Sequence, residues 1–321
     1  MYRPEIKVID CSIRDGGLMN NSNFSMDMVR EVLKAVNDSG ADIVELGYRN
    51  SKDFFSPQEY GPWRFCDEDV LRKATEGIDL RIKIAVMQDA HKAVAEDVLP
   101  KAESVVDVIR IATYVKDVDK AIHLANNATN KGYDATINVM AISHALDREL
   151  DEALQQIEEE TNIMACYLVD SFGALYSEDI HYYVEKFQKY IKTKEIGIHC
   201  HNNQQLAFAN TIEGIIKGVN FLDGTLYGIG RGAGNCPLEL LISFLKNPKF
   251  DVRPLLRVIG TDMIPLFKEI EWGYSVPYMV TGTLNLHPRS AIKQMAMPDD
   301  NPEKHDFRKF FELMASDDLV E

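Results

Sequence analysis

The amino-acid sequence predicts an α/β fold, a (β/α)8 TIM barrel with a helical C-terminal extension. Eight short runs rich in β-branched residues recur along the chain, and segments with a helical pattern separate them. The runs are almost continuously apolar, as is typical of parallel strands that helices cover on both faces. Eight such alternations favour closure into a barrel over an open sheet. The predicted strands are IKVID at 6–10, DIVELG at 42–47, IKIAVM at 82–87, VDVIRIA at 106–112, ATINVMAI at 135–142, MACYLVD at 164–170, IGIHCH at 196–201 and FLDGTLY at 221–227.

Two of the intervening segments show the helical pattern most clearly. One helix is predicted to start after the N-cap candidate Ser25 and to stop at Gly40. Its apolar residues follow the i, i+3, i+4, i+7 rule and are Val29, Val32, Leu33 and Val36. A second stripe consists of Leu146, Leu150, Leu154 and Ile157. The acidic run at 158–160 behind it is interpreted as a solvated helix end and not as a cation site.

The chain length fits one barrel and an added segment. The protein has 321 residues, and a (β/α)8 barrel uses about 250 of them as one domain. The alternation stops near residue 250, where PLLRVIGTDMIPLFKEIEWGY begins a helical pattern. The prediction is therefore a catalytic barrel at 1–248 and a helical extension at 249–321. Two domains of ordinary size are the alternative.

Composition narrows the class of function. A formal net charge of -15 disfavours nucleic acid and anionic membrane surfaces as partners, so small-molecule chemistry is favoured. No run approaches the roughly 18 apolar residues of a membrane span, and the start of the chain reads as a strand and not as a signal peptide. The five cysteines are scattered without a CxxC pair, which predicts reduced thiols in the cytoplasm.

The segment IHCHNN at 198–203 carries the strongest chemical signal. Residues two apart in a strand point to the same side, so His199 and His201 face one space. This space lies at the C-terminal end of the seventh strand, where barrels place their chemistry. Neutral imidazoles bind divalent metals, so the pair predicts a metal site. Two hydrogen-bonded polar residues at the barrel rim are the alternative.

The segment SIRDGG at 12–17 follows the first strand, which neighbours strands seven and eight once the barrel closes. Asp15 would add a hard oxygen ligand suited to magnesium or manganese, and Arg14 would neutralise an enolate oxygen beside the metal. The alternative is an exposed Arg–Asp turn in which Gly16 and Gly17 permit positive φ.

The segment GIGRGAGN at 228–235 follows the eighth strand. It lacks the first-βαβ context of a dinucleotide loop, so a glycine loop lining the barrel mouth is preferred. Asn235 would offer an amide oxygen to the metal. Its alternative role is to cap the next helix at CPLELLISFL.

The three segments together resemble the motifs of the DRE-TIM metallolyase family, over residues 5–245. The similarity is greatest to the 4-hydroxy-2-oxovalerate aldolase-like branch, and DSFGAL at 170–175 resembles its sixth-strand segment. The resemblance implies metal ligation by Asp15, His199 and His201, with Asn235 as a ligand in some members. It also implies that Arg14 stabilises an enolate and that Ser171 binds the substrate carboxylate, although Ser171 is otherwise readable as a serine that starts a turn.

One expected group is missing, because the aldolase branch has a histidine shortly after its RDG motif and this chain has Gly17, Leu18 and Met19. His287 is the first candidate for the base, since the resemblance places a catalytic tyrosine in this C-terminal segment. An exposed loop histidine is the alternative. His144 after strand five and Tyr48 after strand two are further catalytic candidates, with ordinary polar rim residues as the alternative.

The resemblance implies a metal-dependent aldolase, a carbon–carbon lyase that cleaves or forms a 4-hydroxy-2-oxo acid through a pyruvate enolate, with Mn²⁺ or Mg²⁺. A Claisen-type acyl-CoA/2-oxo acid synthase, a hydroxymethylglutaryl-CoA lyase-like enzyme and a non-catalytic metal-binding barrel remain alternatives. An acylating aldehyde dehydrogenase, or a second copy in a homo-oligomer, is the partner expected at the helices of 249–321.

Overall fold

The computed structural model describes residues 1–316. Eight parallel strands close into a barrel in the order of the sequence, because β1 pairs with both β2 and β8. Each of the eight predicted runs overlaps one strand, which confirms the predicted fold class. The strands are β1 Lys7–Asp10, β2 Ile43–Tyr48, β3 Lys83–Asp89, β4 Val108–Tyr114, β5 Asp134–Met140, β6 Ala165–Asp170, β7 Glu195–Cys200 and β8 Phe221–Gly224.

Helices surround the sheet and continue beyond it. The α-helices are α1 Ser12–Gly16, α2 Met26–Asp38, α3 Glu68–Thr75, α4 Val118–Asn130, α5 Asp147–Glu160, α6 Ser177–Tyr190, α7 Ala207–Ile216, α8 Leu238–Phe244, α9 Arg253–Val258, α10 Ile264–Glu269, α11 Val276–Thr283, α12 Arg289–Met295 and α13 Phe307–Met314. Short 3-10 turns cover Pro62–Arg64, Ala95–Asp97, Lys101–Glu103, Val115–Asp117, Ile142–His144 and Leu226–Gly228, and Ile259–Met263 is π-helical. No helix within residues 1–316 has the length and apolar character needed to cross a membrane.

The two helices predicted in detail are present. Ser25 caps α2 by accepting a hydrogen bond from the Met28 amide at 3.2 Å, and Gly40 follows the helix with φ of 79°. In α5 the predicted stripe is buried except for Leu146, which is 66% exposed. Leu146 was wrongly included, because its backbone is extended and the helix begins only at the next residue. The acidic end of α5 is anchored by an ion pair between Glu158 and Lys194 at 3.2 Å.

The barrel interior has an apolar floor below a charged layer. The floor is a separate cluster of buried side chains: Ile9, Cys11, Ile43, Ala85, Val108, Ala165, Tyr167, Val169 and Phe221. Above it, Arg110 of β4 forms ion pairs with Glu45 of β2 at 3.1 Å and with Asp223 of β8 at 2.7 Å. The side chains of all three are at most 1% exposed. Buried charges are tolerated when they are paired and hydrogen-bonded, and this layer supports the site above it.

The C-terminal helices pack on the barrel at the end where the strands finish. Tyr278 of α11 contacts Gly232 so closely that a Cβ there would lie 2.9 Å from the tyrosine ring. The Trp272 indole donates to the Tyr227 carbonyl at 3.0 Å. Asn285 accepts a hydrogen bond from the Ser143 hydroxyl at 2.7 Å, beyond strand β5. The extension therefore forms part of the wall around the barrel mouth.

We expect Arg110→Met to lower the free energy of unfolding by about 3–5 kcal/mol, because it leaves Asp223 buried without its counter-ion and removes one of the two guanidinium partners of Glu45. Chemical denaturation followed by circular dichroism measures the change. The control Arg148→Met removes a guanidinium that is 89% exposed, and it is expected to change stability by less than about 0.5 kcal/mol. A loss below about 1 kcal/mol for Arg110→Met would contradict the structural role of this layer.

Candidate active site

Three predicted metal ligands converge at the barrel mouth. His199 is the penultimate residue of β7, His201 follows that strand directly, and Asp15 comes from α1. One ligand atom from each residue lies within 4.8 Å of the other two, and all three side chains are buried. The Nε2 of His199 is buried and has no hydrogen-bond partner within residues 1–316. A carboxylate with two imidazoles, one of which holds an unused buried lone pair, fits a divalent cation.

Asp223 orients the His199 ring. Its Oδ2 lies 2.9 Å from the His199 Nδ1 and also accepts from Arg110 at 2.7 Å. Burial acts to raise the pKa of Asp223, but Arg110 and His199 lower it to about 2. An ionised Asp223 accepts the proton of Nδ1, which leaves the Nε2 lone pair directed away from it. Outer carboxylates of this kind fix the tautomer of metal-binding histidines.

The protonation states of the other two ligands also suit a metal. Burial holds the pKa of His201 well below its usual value, so the ring is neutral. Burial acts to raise the pKa of Asp15, but Arg14 and the two imidazoles hold it well below its usual range. At neutral pH Asp15 is therefore ionised and His201 is neutral, so neither residue has to lose a proton before a cation binds.

Asn235 lies against this cluster. Its Nδ2 donates to Asp15 and to the Ile229 carbonyl, the latter at 3.1 Å. Its Oδ1 is buried without a partner in the described part of the chain. The alternative that Asn235 caps the next helix is wrong, because Pro237 is the N-cap of α8 and no side chain caps it. The amide oxygen is thus an available acceptor beside the metal candidates.

Arg14 belongs to a short buried helix and not to an exposed turn. Its Nε donates to Glu45 at 2.7 Å and its Nη1 to Asp15 at 2.5 Å. The expectation of positive φ at the two glycines is wrong, since Gly16 is helical and Gly17 has φ of -60°. Their small size is used for packing instead, because a Cβ on Gly16 would lie 2.8 Å from the Ile229 side chain. A larger residue at position 16 would therefore require the Ile229 side chain to shift.

A cavity of about 230 Å³ opens above the cluster. His144 does not line it. Its Nε2 lies 2.5 Å from the Asn285 carbonyl, and its ring packs on Phe172 with centroids 4.7 Å apart. Asn235 is hydrogen-bonded to Asp15 and is not among the residues that line the cavity. The predicted residues that do line the cavity are Arg14, Asp15, Tyr48, Ser171, His199, His201 and His287.

Ser171 and Arg231 form one side of this cavity. The Ser171 hydroxyl accepts from the Ala141 amide at 2.8 Å, which leaves its proton available to a ligand. Arg231 donates through Nη2 to the Ser171 carbonyl at 2.8 Å, and it forms no ion pair within residues 1–316. Its Nε is buried and unpartnered in the same part of the chain. Together they offer hydrogen-bond donors to an anionic ligand.

His287 reaches the cavity from the C-terminal extension, beside Arg231, and is partly buried, not an exposed loop histidine. Its Nε2 lies 3.5 Å from Arg231 Nη1, and its Nδ1 lies 3.1 Å from the Arg289 amide. A neutral ring carries a proton on one nitrogen only, so the two contacts belong to different tautomers. Burial, with Arg231 adding to it, lowers the pKa of His287 to about 4. The ring is therefore neutral and able to accept a proton.

Tyr48 lies at the end of β2 and is 8% exposed. The Arg64 guanidinium covers its ring at 4.8 Å from the centroid. Burial raises the pKa of its hydroxyl above the usual value, so the phenol is protonated at neutral pH. Tyr48 is consequently a hydrogen-bond donor to the cavity and not a base.

A closed parallel barrel with a buried carboxylate–imidazole cluster beside an arginine defines a metal-dependent barrel enzyme. Comparisons with known proteins agree. The model of the HMGL-like family matches residues 5–259. Oxaloacetate decarboxylase of Mycobacterium tuberculosis is 29% identical over 240 residues, which cover 74% of this chain and 69% of that protein. The 4-hydroxy-2-oxovalerate aldolase of Thermus thermophilus is 28% identical over 302 residues, or 90% of this chain and 85% of that protein.

A solved structure is also similar over nearly the whole chain. It is the N-terminal domain of a protein from Bacteroides vulgatus that carries an aldolase name, with a TM-score of 0.81 and 30% identity over 91% of this chain and 97% of that one. The chain belongs to the HMGL-like family, which confirms the resemblance to the DRE-TIM metallolyases. It is a metal-dependent carbon–carbon lyase.

Sequence reasoning missed the residues beneath and beside the cluster. Glu45, Arg110 and Asp223 are single charges inside otherwise apolar strand runs, which is the signal that marks inward positions at the functional end of a barrel. Arg231 lies within the glycine loop that was recognised for its glycines alone. Its charge between small residues at a strand end was the available signal.

We expect His201→Ala to abolish tight Mn²⁺ binding, because it removes one of three converging ligands. Asp223→Asn is expected to weaken binding about 10–100-fold, since the His199 ring loses its orienting carboxylate. Titration followed by electron paramagnetic resonance of free Mn²⁺ measures both. The control His123→Ala removes an exposed imidazole on α4, and wild-type affinity is expected there. Unchanged affinity in His201→Ala with an intact circular dichroism spectrum would rule out this cluster as the metal centre.

Proposed function

We propose that this protein is an aldolase that cleaves or forms a 4-hydroxy-2-oxo acid with pyruvate as the 2-oxo acid product. The observation that carries the proposal is the convergence of Asp15, His199 and His201 in a cavity lined by Arg14. A lyase of this family needs positive charge where the enolate oxygen develops, and the cavity concentrates it there. Several relatives at about 28% identity are named 4-hydroxy-2-oxovalerate aldolase, which agrees with this choice.

Asp15, His199 and His201 would hold the metal, with the Asn235 amide oxygen as an additional ligand. Mn²⁺ or Mg²⁺ is proposed, because a carboxylate and an amide oxygen are hard ligands and no thiolate faces the cluster's cavity among the described residues. When bound, the ion supplies Lewis-acid polarisation of the 2-oxo group of the substrate.

The remaining residues bind the substrate and move its protons. The Ser171 hydroxyl donates a hydrogen bond to the substrate carboxylate, and Arg231 adds positive charge on the same side. His287 takes the proton of the C4 hydroxyl at Nε2, in the tautomer that carries its own proton on Nδ1. The C3–C4 bond then breaks, C4 becomes the carbonyl of an aldehyde, and the electron pair passes to C3 of the pyruvate enolate.

Arg14 stabilises the enolate oxygen until C3 is protonated. Glu45 and Asp15 hold its guanidinium in place, so little reorganisation is needed when the charge appears. Tyr48 donates a hydrogen bond on the same face. His144 is proposed as a wall residue, because the Asn285 carbonyl occupies its ring nitrogen.

Decarboxylation of oxaloacetate is a second candidate reaction, since it forms the same enolate. Arg231 favours it, because this cation lacks a carboxylate partner among the described residues and would meet the second carboxylate of the substrate. Three alternatives are tested against these two reactions: the Claisen-type synthase, the hydroxymethylglutaryl-CoA lyase-like enzyme and the non-catalytic barrel.

We further propose residues 1–248 as the catalytic barrel and 249–321 as an extension that contacts either an acylating aldehyde dehydrogenase or a second copy of the chain. Apolar side chains exposed on α9 and α10 support an interface, namely Leu256 and Ile264. A cytoplasmic location is supported by the five cysteines, which are all buried and unpaired.

The assignment is tested with the metal-free protein and added Mn²⁺ or Mg²⁺. Metal-dependent release of pyruvate from 4-hydroxy-2-oxovalerate is expected, and chelation should stop it. Parallel assays follow carbon dioxide from oxaloacetate and thiol release from acetyl-CoA with a 2-oxo acid. Thiol release alone would support the synthase. Absence of all three, and of hydrogen exchange at the pyruvate methyl group, would leave a metal-binding barrel without this chemistry.

We expect His287→Asn to lower kcat by about 10²–10⁴-fold at saturating Mn²⁺ while metal affinity stays unchanged. The base works only when unprotonated, and burial lowers its pKa to about 4. The wild-type kcat/KM should therefore hold on acidification through the usual histidine range near 6.5 and fall only near pH 4. A smaller loss is expected for His144→Asn. An acid limb near 6.5 that persists in His287→Asn would assign the base elsewhere.

A further inference from the structure

A second cavity adjoins the catalytic cavity. It has a volume of about 460 Å³, twice that of the cavity above the metal ligands. The two share four wall residues: Tyr114, Met140, Phe172 and His287. The two cavities are therefore adjacent, and a ligand long enough to pass these residues would reach from one into the other. Acetaldehyde, with three non-hydrogen atoms, would leave the larger space almost empty.

The walls come from two parts of the chain. Segments after β4 and β5 supply one side, including Val115 and Ala145. The C-terminal extension supplies the other through Leu286, Ser290 and Met314. The extension therefore has a direct role in shaping the space next to the site.

The lining combines apolar and hydrogen-bonding groups. Met140, Leu286 and Met314 provide apolar surface, whereas Glu149 and Ser290 provide a carboxylate and a hydroxyl. An alkyl chain would form no hydrogen bond with those polar groups. A chain that carries hydroxyl groups would satisfy them, because each hydroxyl both donates and accepts.

The position of His287 gives the direction of the substrate. In the proposed reaction it takes the proton of the C4 hydroxyl, and it stands on the shared wall. C4 then lies at the junction of the two cavities. The substituent on C4 is the part of the substrate that becomes the aldehyde, and it points into the larger space.

We propose that this second cavity binds the aldehyde part of the substrate, and that the aldehyde is a hydroxylated chain of about four or more carbons. The inference rests on the proposed aldolase function and narrows its substrate class. The bond that forms or breaks is the same C3–C4 bond, so no further reactant is required.

Condensation of pyruvate with acetaldehyde, butanal and D-erythrose tests the proposal on the full-length protein with Mn²⁺. We expect kcat/KM for D-erythrose to exceed that for acetaldehyde by about tenfold or more, and to exceed that for butanal of equal carbon number. Hydrogen exchange of pyruvate, which needs no aldehyde, is measured alongside.

Two variants fill the second cavity from opposite walls, Ala145→Trp and Ser290→Phe. Each is expected to lower the D-erythrose to acetaldehyde ratio of kcat/KM by about tenfold. The control Ala102→Trp places the same bulk on an exposed turn and should leave this ratio unchanged. Because the two substitutions lie on different walls, one variant still provides the test if the other fails to fold.

A ratio that favours acetaldehyde in the wild type, or that both filling variants leave unchanged, would overturn the inference while the aldolase function stands. A higher kcat/KM for butanal than for D-erythrose would overturn the inference that the aldehyde is hydroxylated. Absence of condensation with every aldehyde, together with absence of pyruvate exchange, would overturn both this inference and the proposed function.

Discussion

A chain of buried ion pairs across the barrel interior determines where the chemistry takes place. Asp223 pairs with Arg110, Arg110 with Glu45, and Glu45 with Arg14. Its two ends meet the metal cluster, since Asp223 holds His199 and Arg14 holds Asp15. Charges alternate in sign along the chain and are nearly inaccessible to water. Each side chain is therefore held by its neighbours. The candidate ligands His199 and Asp15, which are far apart in sequence, are thus kept at a fixed distance from each other.

The charge of the cavity is opposite to that of the whole protein. The chain carries a formal charge of -15, yet Arg14, Arg231 and Lys92 line the space above the cluster. A buried cluster with low-dielectric walls acts over a short range, whereas distant surface carboxylates are screened by salt. Attraction of an anionic 2-oxo acid is thus a local property that net charge does not report.

Periodicity in the sequence was sufficient for the fold but not for the details of the site. The eight strand runs and the cap at Ser25 follow from local rules, so they were predictable. Leu146 was misassigned by one residue, because apolar spacing does not show where the backbone becomes helical. The pairing of Arg110 with Asp223 joins residues far apart in sequence, and local patterns carry no record of such partners. The convergence of His199 and His201 was predictable, because a two-residue spacing in one strand is itself local.

The contact between Asp15 and Asn235 joins the first and last turns of the barrel. A Cβ at Gly230 would lie 2.5 Å from the Asp15 carboxylate. The loop can therefore pack against the aspartate only because residue 230 has no side chain. During synthesis on the ribosome, the cluster is incomplete until more than two hundred residues have left the exit tunnel. The three candidate ligands are therefore brought together only after seven of the eight strands have been synthesised.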